Sequence, residues 1–531
     1  MKTCGEVLVE LLEAYGIDTV FGIPGVHTVE LYRGLPQTGL RHITPRHEQG
    51  AGFMADGYAR VTGRPAACFI ITGPGMTNIA TALGQAYADS VPILVISSVN
   101  SSYELGLGEG RLHELPSQRN LVEGVTVFSH TVLRADELPT VLARAFAVFH
   151  SARPGPVHIE LPLDVITAPG DHLALKAHPT RTRPGPDPVA IARAADLLRE
   201  AEDPIVVLGG GAQDAAPQAA RLVQRLGAPV ALTINAKGVL APGHPLCLGS
   251  TLPQVPVLRA VEQADVVLAV GTELSETDTL LFAGQLETRG KVIRIDIDPE
   301  QLVRNVLPEV AICSDAALAM GALAEALEDF KGHDAEARVA EMRQELEALL
   351  PPPIVVQQRV MAALQEALPG VVVVGDSTQP VYGANLFYEP EGPRAYFNSS
   401  TGYGTLGYAL PAALGAKLAA PERAVIALIG DGGLQFTIGE LASAVELGLA
   451  VPILLWNNSG YGEIKRYMVE RDIPQIGVDI YTPDFQTIAK GFGCRALKAE
   501  SLAHLKTALV DAHGADGPTL IEIDEAAAQA W

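Results

Sequence analysis

At 531 residues the chain is too long for one core, and at about 150 residues per domain it should divide into three or four. A net charge of −23 excludes a surface that holds nucleic acid or anionic lipid by bulk charge, and 48% hydrophobic against 19% charged residues excludes a largely disordered chain. Five scattered cysteines (Cys4, Cys68, Cys247, Cys313, Cys494) form no CxxC pair, which argues against a disulfide framework or a zinc site and for reduced thiols.

The amino terminus reads as an amphipathic helix with Val7, Leu8, Leu11 and Leu12 on one face, without the apolar core and cleavage site of a signal peptide. No apolar run reaches the roughly 18 residues of a membrane span, so the expectation is a cytoplasmic protein with no membrane contact. Short β-branched runs follow at 68–72, 93–97, 205–208, 266–270, 292–295, 371–374, 424–429 and 453–456, each with a turn and a helical segment after it. Continuous apolar strands alternating with helices predict α/β architecture: three doubly wound domains with mainly parallel sheets covered on both faces. Two segments break the rhythm, a Pro/His/Arg-rich stretch at 168–188 and a charged stretch at 330–353 that ends in three prolines. Read as linkers, they give domains at 1–168, 187–330 and 354–531.

Along the first domain, RHEQGAG at 46–52 opens a helix with Glu48 in its first turn, and the strand at 68–72 runs into Gly73-Pro74-Gly75 and a helix carrying Asn78. In the middle domain Gly209-Gly210-Gly211 follows a strand. Without the full GxGxxG spacing this leaves open both a nucleotide site and a purely structural Rossmann-like domain. In the third domain Gly430-Asp431-Gly432 ends one apolar strand and Asn457-Asn458 ends the next. One intervening helix brings the second strand back beside the first, so Asp431 and Asn458 should lie side by side at the carboxyl edge of a parallel sheet. A carboxylate and an amide oxygen are hard ligands of the kind by which Mg²⁺ holds a diphosphate, and the glycines let backbone N–H groups approach the phosphates.

At that spacing the pair resembles the thiamine diphosphate motif. The rest of the chain is similar to the acetolactate synthase, pyruvate oxidase and 2-oxo acid decarboxylase family, through FGIPG at 21–25, RHEQGAG, DSVP at 89–92, RPGPVHIELPLDV at 153–165 and GYGTLGYALP at 402–411. The resemblance implies a pyrimidine-binding first domain, a central Rossmann-like domain and a diphosphate-binding third domain. It makes Asp431, Asn458 and Gly460 the Mg²⁺ ligands, and it places Gly73, Asn78, Ser377, Thr378, Gly430, Gly432, Gly433 and Tyr461 around the cofactor. Glu48 would bond the aminopyrimidine N1′ so that the 4′-nitrogen can take the thiazolium C2 proton. Gly404 would offer a carbonyl to the 4′-amino group, and Leu406 would hold the cofactor bent. Because the cofactor bridges the first and third domains, supplied in this family by different subunits, a homodimer is the minimum unit and a homotetramer the expected assembly.

The same resemblance bears on the reaction. Acetolactate synthases hold FAD partly by an Arg-Phe-Asp-Asp-Arg-like run, whereas this chain reads Gly-Thr-Glu-Leu-Ser-Glu-Thr-Asp at 271–278, which argues against FAD. Where relatives acting on pyruvate place apolar residues, Glu463 follows the Asn458 loop, and the loop 103–118 carries His113, Glu114 and Gln118 toward the same cleft. By the family pattern Gln118 lies nearest the cofactor, and His113 is a candidate proton donor. Carboxylates at Glu463 and Glu114 suit a guanidinium-bearing 2-oxo acid, although an i,i+3 pair of Glu463 with Arg466 on a solvated face explains that residue equally. PGVHTVELYRGLP at 24–36 with GEGRLHELPSQRNLV at 108–122 looks like the decarboxylases of arginine transamination routes. The expected reaction is decarboxylation of 5-guanidino-2-oxopentanoate (2-ketoarginine) to 4-guanidinobutanal and CO₂. Carboligation of 2-oxo acids in the manner of acetolactate synthase is the alternative.

Overall fold

The computed structural model describes residues 1–178, 182–282 and 284–531. They form three sheets whose strands all pair in parallel. The first sheet runs, edge to edge, Arg41–Ile43, Thr19–Gly22, Ala66–Ile70, Ile93–Val99, Val157–Pro162, Phe128–Thr131. The third runs Tyr396–Asn398, Val372–Gly375, Val425–Gly430, Pro452–Asn457, Thr519–Asp524, Arg495–Lys498. Within its own domain each has the strand order 2-1-3-4-6-5, so the two outer domains share one topology. The central sheet has five strands, Val310–Cys313, Lys291–Asp296, Val266–Val270, Pro204–Leu208 and Val230–Leu232. In all three the order reverses between the first and third strands, where the crevice for a ligand opens at the carboxyl ends.

Every β-branched run read from the sequence is a strand, within a residue or two of its expected limits. The strands that were not anticipated are mostly short or at sheet edges, where alternation with polar residues hides the apolar signal, as in Phe128–Thr131 and Arg495–Lys498. The amino-terminal helix Cys4–Ala14 buries Val7, Leu8, Leu11 and Leu12 as expected, and Cys4 and Val9 as well. One segment read as linker joins a core instead: helix Glu336–Ala348 buries Val339, Met342 and Leu346 against the central domain, and Arg343 donates to the carbonyls of His244 and Cys247. No helix among the described residues is long and apolar enough to cross a membrane.

The outer domains share one apolar core, built where helix Glu48–Thr62 of the first crosses helix Ala409–Ala419 of the third. The crossing is so close that only glycine fits: a methyl group at Gly57 would stand 2.0 Å from the Ala412 carbonyl oxygen, and one at Gly415 1.9 Å from that of Met54. Beside it a polar knot ties the domains together. Arg60 donates to Asp56 and Asp89 at 2.6 Å each, and Asp89 Oδ1 accepts from Asn235 of the central domain at 3.0 Å and Thr401 of the third at 2.8 Å. Buried as they are, these charges are paired, with Asp56 Oδ2 left without a hydrogen bond; pairing is the condition under which burial is tolerated.

Candidate functional site

The third domain builds its half of the site at the ends of two neighbouring strands. Gly430 pairs with Trp456 across Val425–Gly430 and Pro452–Asn457, so Asp431 and Asn458 leave the sheet side by side as expected. The backbone turns sharply there, with Ser459 at φ +60° and Gly460 at φ +155°, which brings the Gly460 carbonyl around to the same point. Asn458 Oδ1 lies 3.1 Å from Asp431 Oδ1 and 2.8 Å from the Gly460 oxygen, a cluster of acceptors that a turned amide or a cation would satisfy. Asp431 Oδ2 is buried without a partner, and burial pushes this carboxyl above its ordinary pKa. A buried carboxylate with one oxygen unpaired and the other beside an amide oxygen, with the Gly460 carbonyl at that same amide, fits a hard divalent cation, whose charge would offset that desolvation.

Three glycines admit the groups that surround the cluster. A methyl group at Gly430 would stand 2.9 Å from Thr378 Oγ1, one at Gly432 2.8 Å from the Tyr461 ring, and one at Gly433 3.2 Å from the Asp376 carboxyl. Asp376, not singled out in the sequence, is fully buried at the end of strand Val372–Gly375 and accepts from Ser377 N at 2.8 Å and Ala409 N at 3.3 Å. Burial pushes its carboxyl up to about 6. It anchors the start of helix Ala409–Ala419 and thereby the loop before it, where Gly404 is exposed at φ +75° and Leu406 half-buried. Thr437 Oγ1 donates to the Gly407 carbonyl at 2.8 Å, and Ser377 Oγ meets Ser399 Oγ at 3.2 Å.

The first domain supplies the other half. Glu48 is the first residue of its helix, 9% exposed, and accepts from Asn78 Nδ2 at 2.9 Å. A methyl group at Gly75 would stand 3.4 Å from Glu48 Oε1, so the 72–75 turn lies against it. The helix start is held from the third domain: buried Glu440 accepts from the N–H groups of Arg46 at 3.0 Å and His47 at 3.1 Å. Glu440 also escaped the sequence reading, because its partner lies almost 400 positions away. Glu48 itself makes no hydrogen bond to the third domain among the described residues. The two halves stand as separate clusters within one chain.

Gln118 lies behind the 72–75 turn that packs against Glu48. It is buried inside the first domain, where its oxygen accepts from Thr72 Oγ1 at 2.7 Å and Gly73 N at 3.0 Å. Its amide nitrogen faces Ser97 Oγ, the Ser98 carbonyl and Glu160 Oε2 at 2.9 to 3.0 Å. The side chain thus braces the Gly73 turn. Glu114 accepts from Gly108 N and Arg111 N at 2.9 Å each, which ties it to its own loop and lowers its pKa. His113 lies over Gly73 with its backbone at φ +61°. Glu463, in the first turn of helix Gly462–Glu470, pairs with Arg466, the pair the spacing predicted, and is also reached by Gln379 Nε2 at 3.3 Å. The half-buried Tyr382 hydroxyl is pushed up to about 12 by desolvation, with the Glu463 and Asp376 charges adding to it.

A second cleft, of about 270 Å³, lies at the carboxyl ends of the central strands. The Gly209 and Gly211 N–H groups donate to the carbonyls of Val270 and Gly271, not into the cleft, and Glu273 pairs with Arg153 from the first domain.

The chain matches three family profiles, one after another along its length. They are "Thiamine pyrophosphate enzyme, N-terminal TPP binding domain" at 2–121, the central domain at 191–323 and the C-terminal TPP binding domain at 361–523. It is 46% identical over 534 residues to "Probable 2-ketoarginine decarboxylase AruI" of Pseudomonas aeruginosa, covering 99% of this chain and 95% of that one. It is 33% identical to the acetolactate synthase large subunit of Corynebacterium glutamicum, covering 100% and 88%, and 32% identical to the isozyme 1 large subunit of Escherichia coli, covering 98% and 93%. Its fold superposes with a TM-score of 0.83 on the X-ray structure of "a putative thiamin diphosphate-dependent enzyme" from Mycobacterium smegmatis, at 24% identity over 99% of both chains.

Proposed function

We propose that this chain, which belongs to the thiamine pyrophosphate enzyme family, decarboxylates 5-guanidino-2-oxopentanoate to 4-guanidinobutanal and CO₂ without oxidation. The observation that carries the choice of substrate is the Glu463 carboxylate, three residues beyond the Gly460 carbonyl of the cation cluster and shared by Gln379 and Arg466. A guanidinium tail bonds such a carboxylate in forked, charge-assisted geometry, whereas pyruvate has no tail to place there. The substrate named for the 46% identical relative, 2-ketoarginine, has that tail.

Asp431, Asn458 and Gly460 would hold Mg²⁺, with Gly430, Gly432, Gly433, Ser377, Thr378 and Tyr461 around the diphosphate. When bound, thiamine diphosphate supplies a nucleophilic carbon that adds to the 2-oxo group and accepts the electron pair left by CO₂. Glu48, held by Asn78, keeps a proton at the pyrimidine N1′; Gly73, braced by Gln118, lines that pocket. Gly404 would offer its carbonyl to the 4′-amino group, and Leu406 would hold the cofactor in its bent shape. His113 would return a proton after CO₂ leaves, and Glu463, with Glu114, would orient the tail. Glu48 and Asp431 stand in separate clusters of one chain, which supports a site completed by a second copy: a homodimer, and a homotetramer as the assembly. The enzyme is read as cytoplasmic and flavin-independent, the latter from the Arg153–Glu273 pair.

CO₂ release by enzyme reconstituted with thiamine diphosphate and Mg²⁺ tests this, comparing 5-guanidino-2-oxopentanoate, pyruvate and a branched, uncharged 2-oxo acid. Preference for the guanidino substrate is expected. Preference for pyruvate with acetolactate as product would overturn it in favour of carboligation, the activity named for the 33% and 32% identical relatives. Glu48→Gln should bind the cofactor yet fail to release CO₂.

A further inference from the structure

The cleft at the carboxyl ends of the central strands is walled by all three domains, and neither Glu48, Asp431 nor Glu463 lines it. At about 270 Å³ it falls just below the range of about 300–1,000 Å³ in which drug-sized ligands are held, which leaves room for a small molecule. Among the described residues six carboxylates and four guanidiniums line it. Each guanidinium already has a carboxylate: Arg60 has Asp89 at 2.6 Å, Arg183 has Asp315 at 2.8 Å, Arg394 has Asp214 at 2.7 Å, and Arg153 has Glu273. Asp278 and Asp296 are left over. Asp278 Oδ2 accepts from Ser275 N at 3.3 Å and Ser275 Oγ at 3.2 Å, and Asp296 Oδ1 accepts from Asp298 N at 3.0 Å. The second oxygen of each makes no hydrogen bond among the described residues. Gln301 lines the same cleft, 3% exposed, and its amide oxygen is buried without a partner. Behind Asp296, Arg294 and Asp298 carry opposite charges, and Arg294 has no donor to spare: its guanidinium bonds the carbonyls of Thr272, Arg304 and Val306 at 2.6 to 3.3 Å.

Three acceptors without donors, two of them charged, thus line one small cleft. Burial pushes the Asp278 and Asp296 carboxyls up to about 6, and a cation beside them would bring both down. Among the described residues no three acidic, histidine or cysteine side chains stand close enough to share a metal ion. The acceptors therefore ask for a cation that extends between them and carries N–H donors. A phosphate would set negative charge and further acceptors against them. We propose that this cleft binds an aliphatic dication, with an ammonium or guanidinium group at each end and methylenes between. One positive charge answers each free carboxylate, and a remaining N–H pairs the Gln301 oxygen; both kinds of head group are donors only. Seated between walls from three domains, beside the Arg60–Asp89 pair, the ligand ties them together, and its binding free energy adds to the stability of the fold. The site stands whatever reaction is run at the cofactor.

Isothermal titration calorimetry on the full chain loaded with thiamine diphosphate and Mg²⁺ tests this with 1,4-diaminobutane, 1-amino-4-guanidinobutane, neutral N-butylurea and AMP. Either dication should bind at least about 10-fold tighter than butylurea; the tighter of the two names the head group, and either supports the site. Asp278→Asn and Asp296→Asn keep the oxygens that Ser275 and Asp298 bond, and each should weaken the dication by about 10- to 100-fold. Gln301→Leu should weaken it by about 2- to 10-fold, and Glu463→Gln should leave it within about twofold. Equal binding of butylurea, or unchanged affinity in both aspartate variants, would overturn the site. So would a loss confined to Glu463→Gln, which places the cation in the cofactor cleft, or preferred binding of AMP that the aspartate variants strengthen. A measurement on wild type alone stands beside these, for the case in which a variant fails to fold. Its thermal unfolding midpoint should rise with either dication and not with butylurea at equal ionic strength, and an unmoved midpoint at millimolar dication refutes the proposal.

Discussion

Glu463→Gln separates a carboxylate that reads the substrate from one that only decorates a helix. The replacement keeps the side chain's shape and its contact with Gln379 but removes the charge that a guanidinium would pair with. A hydrogen bond to a charged partner contributes about 1.5–3 kcal/mol. Against that stands the existing pair with Arg466, whose side chains are 28% exposed at the glutamate and 53% at the arginine. An exposed i,i+3 pair of this kind contributes only about 0.3–0.5 kcal/mol, so the guanidinium gains most of what the carboxylate can give. The net loss in Glu463→Gln is then about 1–2.5 kcal/mol, or about 5- to 70-fold in kcat/KM for 5-guanidino-2-oxopentanoate. For pyruvate, which presents no cation, kcat/KM should stay within about twofold of wild type, since charge-neutral contacts are unchanged. Measuring both substrates in the same preparations separates recognition from general damage. Equal losses on the two substrates, or none on the guanidino acid, would refute the assignment and leave Glu463 as one half of a surface ion pair.

Asp431→Asn should weaken binding of Mg²⁺ and thiamine diphosphate by more than about 100-fold; the quenching of Trp456, whose strand pairs with Gly430, reports it by fluorescence titration. Gly415→Ala forces a methyl group to within 1.9 Å of the Met54 carbonyl, so the outer domains should lose about 1–3 kcal/mol, seen as a lower urea midpoint by circular dichroism. Lys237 is buried under the Tyr388 carbonyl, and burial holds its amine down to about 7. Because the unfolded chain keeps that proton to about 10.4, folding releases it between those values and stability rises with pH there by up to about 1.4 kcal/mol per unit. Lys237→Met should therefore stabilise most at pH 7 and below, its advantage shrinking toward pH 9; urea unfolding at pH 6, 7, 8 and 9 checks the sign.

The chemistry carried by contiguous motifs was legible in the residues themselves. Gly430-Asp431-Gly432 and Asn457-Asn458 end apolar strands, and since a helix between parallel strands returns the chain alongside itself, their juxtaposition follows from spacing and is what the register shows. Glu48 at a helix start, the glycines that admit Thr378, Tyr461 and Asp376, and the three α/β domains follow from equally local signals. Other features were settled only when distant segments packed. Glu440 reaches the Arg46 and His47 amides across the domain contact, and Asp376 becomes the anchor of the 402–411 loop because a strand end of the same domain lies under it. Gln118 turns into a buried brace because Ser97, Glu160 and Thr72 surround it. Periodicity and turn chemistry act over a few residues and therefore sit in the sequence, whereas burial, desolvation and the pairing of buried polar groups depend on which surfaces meet, and only the tertiary structure decides that.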